Sequence, residues 1–318
     1  MDSIETLQLD FEQNGYAILP GFYGTDEVGA LQKVIDDLIS QPRLDLCVDD
    51  MDSNARTLLG WVKPSDRQAH RFKFNDLFLI SPEVRDVATN PRISRLLERL
   101  VGQRLALCNS LYFEKGSAQA LHVDSLYMTP RTQGDLIAIW VALEDAHPDA
   151  GPLEYYPGSH LIPQFRFSDG SYHATAGEML QFETYMRKEV QSRGLQKNTF
   201  PARRGDVFIW HAHLFHGGGA INDLSRTRRS LVFHYYSERD CKTLGIPVQR
   251  ETDERIGWQV RPRQGVPIPK HVNFDVDPFP EQDYLLQNPD VAAAVRAGTV
   301  RSGRAHFDRH GKHENRLI

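Results

Sequence analysis

The chain has 318 residues, 40% hydrophobic and 25% charged, the balance of a globular protein able to bury a sizeable core. Its 37 basic against 42 acidic side chains leave a net charge of −5, so no overall basic field points to nucleic acid or an anionic membrane. No apolar run approaches the roughly 20 residues that span a bilayer. The start Met1-Asp2-Ser3-Ile4-Glu5 lacks a signal pattern, and three scattered cysteines (Cys47, Cys108, Cys241) make no disulfide framework, so a cytoplasmic protein is expected.

Residues 1–102 read as helical. Thr25 can cap a helix carrying Val28, Leu31, Val34, Ile35, Leu38 and Ile39 at helical spacing, with Pro42 as its stop. Ser81-Pro82 and Asn90-Pro91 are two further helix starts, the second leading through Ile93, Leu96, Leu97, Leu100 and Val101 to Gly102. The polar stretch 47–70 reads as a long irregular loop that would cover a site.

From 105 to 237 the pattern changes to short strands: Leu105–Phe113, Ala120–Asp124, Leu136–Leu143, Leu153–Tyr156, Val207–Trp210 and Ser230–Tyr236. Strands of this kind, punctuated by turn residues, predict a mainly β sandwich or barrel with flanking helices, a cupin-like jelly roll among the options. A helical insert spans 177–193, with Leu180, Tyr185, Met186 and Val190 as its apolar positions. The Pro- and Arg-rich stretch 241–282 reads as an extended arm, and 283–318 as a small helical module suited to docking or homo-oligomerisation.

The chemistry concentrates in His122-Val123-Asp124. On a strand, residues two apart share a face, so one imidazole and one carboxylate can point into a single cavity. A third ligand then completes a two-histidine, one-carboxylate triad, the usual holder of non-haem Fe(II). His216 is favoured because it follows the apolar run Val207–Trp210 and precedes Gly217-Gly218-Gly219, where the backbone can crowd a site; His211 and His213 are its competitors. Arg228 and Ser230 share a strand face, and fork plus hydroxyl could hold the distal carboxylate of 2-oxoglutarate; Arg229 is the alternative.

With these fragments goes an ordered set: Phe11-Glu12-Gln13-Asn14-Gly15-Tyr16, Leu19-Pro20-Gly21-Phe22, Ile139-Trp140-Val141-Ala142-Leu143-Glu144, Gly151-Pro152-Leu153, Pro157-Gly158-Ser159-His160 and Gly205-Asp206. Over roughly 11–237 the chain resembles the phytanoyl-CoA dioxygenase family of Fe(II)/2-oxoglutarate oxygenases. The resemblance implies a double-stranded β-helix (jelly-roll) core within a catalytic region 1–240. It also implies Lys73, Tyr112 and Trp140 beside the co-substrate. Two departures stand out: Val123 replaces a commonly polar residue, and Arg228 follows His216 by twelve residues, one more than is common.

The expected reaction uses O2 and 2-oxoglutarate, releases succinate and CO2, and hydroxylates a small polar metabolite or biosynthetic intermediate. Desaturation, epimerisation and cyclisation use the same ligands. Asp124 disfavours halogenation, for which the related enzymes keep a small residue at that position. Two readings of other classes are a zinc hydrolase built on His211, His213 and His216, and a non-catalytic cupin-like binding protein.

Overall fold

The structure, a computed structural model, describes residues 4–269, 271–276 and 278–318, so Met1-Asp2-Ser3 of the acidic start lies outside the described residues. The strands are β1 (Tyr16–Leu19), β2 (Cys47–Asp50), β3 (Ala55–Leu58), β4 (Phe72–Asn75), β5 (Leu105–Phe113), β6 (Leu136–Ala142) and β7 (Leu153–Tyr155). They continue with β8 (Asn198–Phe200), β9 (Val207–His211), β10 (His216–Gly218), β11 (Ser230–Ser237), β12 (Val248–Gln249) and β13 (Gly257–Gln259). The large sheet runs β1-β9-β6-β11-β5-β4-β2-β3, and β10-β7-β8 form a small sheet facing it. This is the jelly-roll arrangement with flanking helices that the strand pattern predicted.

Alternation sorts the large sheet into two faces. Ile137, Ile139 and Val141 of β6, Val207 and Ile209 of β9, and Leu231, Phe233 and Tyr235 of β11 pack against the N-terminal helices. Ala138, Trp140, Phe208, Trp210 and Val232 turn to the other side, toward the small sheet. Because β6 is covered on both faces, every residue in it is buried, which is why it reads as an unbroken apolar run.

The helices start where their signals stand. Ser81 Oγ accepts from the Val84 amide at 3.2 Å, Asn90 Oδ1 from the Arg92 amide at 2.9 Å, and Gly102 closes the helix Pro91–Val101 at φ 73°. In Thr25–Ser40 the cap is Gly24 rather than Thr25: Glu27 Oε2 accepts from the Gly24 amide at 2.7 Å.

Three expectations are corrected. Residues 120–124 form no strand; His122 makes a single bridge with His216, through paired backbone bonds of 2.8 and 3.0 Å, and Asp124–Leu126 turns tightly away. The stretch 47–70 is no loop but the hairpin β2–β3, a short turn and the helix Pro64–Ala69. Its charged residues hid it, since Asp49 and Arg56 pair across the two strands. In the insert helix Met179–Ser192 the buried positions are Phe182, Met186 and Val190, while Leu180 is 73% exposed.

The arm does not hang free: β13 joins the large sheet parallel to β5. The terminal helices Glu281–Gln287, Pro289–Arg296 and Gly303–His306 share a core with the hairpin, in which Tyr284, Val291 and Phe307 pack with Cys47, Leu58 and Trp61. No described helix is long and apolar enough to cross a membrane.

Candidate metal centre

His122, Asp124 and His216 meet in the space between the two sheets, each buried, with their ligand atoms all within 4.8 Å of one another. The bridge between His122 and His216 sets the two imidazoles side by side, ring centroids 4.5 Å apart. Each Nδ1 lies against a local carbonyl, His122 at 2.8 Å from Ala120 O and His216 at 2.9 Å from Leu214 O. Those carbonyls hold the ring proton on Nδ1 and leave the Nε2 lone pairs for a metal. Both Nε2 atoms face Asp124 Oδ1, at 3.5 and 3.7 Å.

The other Asp124 oxygen is spoken for. Trp210 Nε1 donates to Oδ2 at 2.7 Å, and His234 Nε2 lies 3.4 Å from it, so one oxygen is left for coordination. Burial opposes the Asp124 charge, but the imidazoles of His216 and His234 hold its carboxyl well below the usual range. Burial pushes His216 down to about 4, which keeps it neutral, the form a metal requires.

A polar chain runs outward from this point. His234 Nδ1 is 3.1 Å from Asn109 Oδ1, Asn109 Nδ2 donates to Asp76 Oδ1 at 3.1 Å, and Arg261 Nη2 donates to Asp76 Oδ2 at 2.9 Å. A residue of the arm thus ends a line of buried groups that starts at the carboxylate. Trp210 and His234 escaped the sequence reading, although strand parity carried a signal: His234 is six residues after Arg228, on the same face of β11.

Arg228 lines the same cavity and is 3% exposed; its guanidinium sits 5.6 Å from the Trp140 ring, and Nη1 donates to Gly151 O at 2.8 Å. Burial lowers its pKa to about 10. Arg228 Nε, Ser230 Oγ and Trp140 Nε1 are buried with no hydrogen-bond partner. Of these, Arg228 and Trp140 line the cavity, where their unpartnered N–H groups can serve a ligand rich in acceptors. The donor set thus fits a divalent metal, and the orphaned groups fit a carboxylate.

The competitors are elsewhere. Arg229 points to the helix side and binds both Asp36 oxygens at 3.1 Å. His211 and His213 lie ring to ring at 5.1 Å, with His160 5.5 Å from His211 and Gln164 bonded to His213; burial pushes them down to about 3 and about 4. Among the described residues the only metal-compatible group is His122, Asp124 and His216, so the zinc cluster of three downstream histidines has no counterpart.

Two expected co-substrate neighbours fall away from the cavity. Tyr112 is on the helix face of β5, with Phe74 5.6 Å away, because its parity is opposite to that of Leu111 and Phe113. Lys73 has the right parity, aligned with Phe113 and through it with Ser230, but its Nζ is 2.9 Å from Asp49 Oδ2 in an adjoining chamber.

A family model described as phytanoyl-CoA dioxygenase (PhyH) matches residues 11–230. The phytanoyl-CoA dioxygenase domain-containing protein 1 homolog of Caenorhabditis briggsae is 22% identical, over 74% of this chain and 92% of that one. Among solved structures, the non-heme alpha ketoglutarate dependent epimerase SnoN from nogalamycin biosynthesis aligns with TM-score 0.55 and 25% identity, over 79% of this chain and 86% of its own. EctD from Sphingopyxis alaskensis, solved with bound Fe, aligns with TM-score 0.56 and 19% identity, over 76% and 78%.

Proposed function

The chain belongs to the phytanoyl-CoA dioxygenase family, and from that premise we propose that it is an Fe(II)/2-oxoglutarate-dependent dioxygenase that hydroxylates a small polar metabolite. The observation that carries this is the buried His122, Asp124 and His216 triad beside a buried, half-satisfied Arg228. SnoN, 25% identical, is itself named as alpha ketoglutarate dependent.

His122 Nε2, His216 Nε2 and Asp124 Oδ1 would hold the iron, in a cavity that Arg228 also lines. When bound, iron with 2-oxoglutarate and O2 supplies the oxidant for C–H hydroxylation and yields succinate and CO2. Arg228 would fork the distal carboxylate through Nε and Nη2, with the buried Ser230 hydroxyl on the same strand face as a further donor. Trp140 walls that end with its ring and an indole N–H. Trp210, by donating to Asp124 Oδ2, would leave Oδ1 as the oxygen offered to the metal. Burial of this end excludes water from the reacting centre.

Epimerisation is the second reading, supported by SnoN, since an epimerase can use the same ligands. The test is anaerobic addition of Fe(II) and 2-oxoglutarate, with a visible metal-to-ligand charge-transfer band expected. Succinate release across a metabolite panel then separates substrates, and product mass separates an added oxygen from an inverted centre. A protein that develops no band and consumes no 2-oxoglutarate is not this enzyme.

A further inference from the structure

The metal cavity, about 480 Å³ with its mouth, adjoins a larger chamber of about 1170 Å³, mouth included. Phe113, Ser117 and Gln119 line both, and Gln119 Nε2 is 3.3 Å from His122 Nε2. Whatever occupies the chamber therefore reaches the metal past Gln119.

The chamber wall is charged, and its hydrogen-bonding balance is one-sided. Asp49 is saturated: Oδ1 accepts from Arg56 Nε at 2.6 Å, and Oδ2 from Arg56 Nη2 at 3.0 Å and from Lys73 Nζ at 2.9 Å. Asp50 is saturated too, with Oδ1 taken by the amides of Asp52 and Ser53 and Oδ2 by His70 at 2.6 Å. The cations keep spare donors. Among the described residues Arg56 Nη1 has no acceptor, Lys73 uses one of three protons, and Arg71 Nη1 has only a long 3.5 Å approach to Ser117 O. Arg71 is otherwise held by Asp52, whose Oδ1 accepts from Nε at 3.0 Å and from Nη2 at 2.6 Å, so the surplus is one of spare N–H donors and not of net charge.

From this surplus of positive donors we infer that the chamber binds an anionic group of the primary substrate (a carboxylate, phosphate or sulfate) against Arg56, Arg71 and Lys73. The inference rests on the oxygenase reading for the word substrate, and it moves Lys73 from the co-substrate to this second anion. The wall is built to hold position: Cys47 and Leu58 of the hairpin, and Trp61 just after it, pack on Tyr284, Val291 and Phe307, and His271 lies 2.8 Å from Trp61 O. These C-terminal residues lie beyond the family match, which ends at 230.

Calorimetric titration of the full chain with phosphate, sulfate and acetate tests this, with and without Fe(II) and 2-oxoglutarate. Wild type should bind at least one of the three, and their ranking tells a phosphate or sulfate ester from a carboxylate. Arg56→Gln should weaken binding about tenfold. Asp49→Asn, which frees Arg56 and Lys73, should tighten it several-fold, a gain that a misfolded protein cannot give. The 2-oxoglutarate affinity read from the charge-transfer band should stay within about twofold in both variants. Failure of all three anions to bind, or binding that neither variant changes, overturns the inference. So does binding that only Arg228→Met removes, which would put the anion at the co-substrate position. Loss of the band alone, with Arg56-dependent anion binding intact, strikes the oxygenase reading and leaves the chamber standing.

Discussion

Replacing Arg228 by Met should separate function from stability in opposite directions. The guanidinium is 3% exposed and has lost enough hydration for its pKa to fall from 12.5 to about 10. That shift corresponds to about 3 kcal/mol of destabilisation, fully present below pH 10 and so at any physiological pH. Methionine fills most of the same volume without the charge. Its costs are the lost bond to Gly151 O and the lost approach to the Trp140 ring, about 1 kcal/mol each, which leaves a net gain of about 1 kcal/mol without ligand. Binding changes the sign. Two charge-assisted bonds to the distal carboxylate are worth about 3–5 kcal/mol together, so the 2-oxoglutarate Kd should rise by roughly 10²–10⁴. Thermal melting of the free protein and anaerobic titration of the charge-transfer band measure the two halves. Arg229→Met is the control, since Arg229 is occupied with Asp36. Unchanged 2-oxoglutarate affinity in Arg228→Met, or its loss in Arg229→Met, would refute the assignment of the fork.

His216→Ala should abolish the charge-transfer band, whereas His211→Ala should keep it; the reverse outcome would move the third ligand. Trp210→Phe leaves Asp124 Oδ2 without its 2.7 Å donor and should weaken Fe(II) affinity by roughly 10–100-fold, measured by chelator competition. Arg261→Met, at the far end of the Asp76, Asn109 and His234 chain, should weaken it less; an effect as large as that of Trp210→Phe would contradict that ordering. Stability should fall with acid. His211 and His213 are buried neutral at about 3 and about 4, below their unfolded value of 6.5, so between pH 6.5 and about 4 the unfolded chain takes up protons that the folded one refuses. Their contribution is complete above pH 6.5 and fades as pH drops, by a few kcal/mol in all. Urea midpoints between neutral pH and that window should show this slope, flattened in His211→Phe.

Much was legible from spacing alone. The apolar positions of the helix Pro91–Val101 and the continuous core strand β6 follow from periods of 3.6 and 2 that any fold must obey. The triad was readable because a chelating set needs particular side chains, and only a few histidines and acids stood in the right order. Residues 120–124 were misread because a ligand pair on one face needs extended backbone only locally; one bridge to His216 supplies it without a full strand. The hairpin β2–β3 was invisible because its cross-strand pair is charged, Asp49 with Arg56, and gives no apolar alternation.

The sequence by itself determined the ligand types, the alternation that places Arg228 inward, and the family to which they point. Tertiary structure alone chose between neighbours of like chemistry. Arg228 and Arg229 are neighbours just ahead of β11 whose side chains turn to opposite sides, and the helix with Asp36 claims one while the cavity claims the other. His211 and His213 lie with His160, whereas the rung between His122 and His216 brings both of those imidazoles to Asp124 Oδ1. Lys73 has the right parity and still misses the cavity of the triad, because Asp49 of β2 draws its amine into the next chamber. Such choices are made by contacts between segments far apart along the chain, and no local pattern records them.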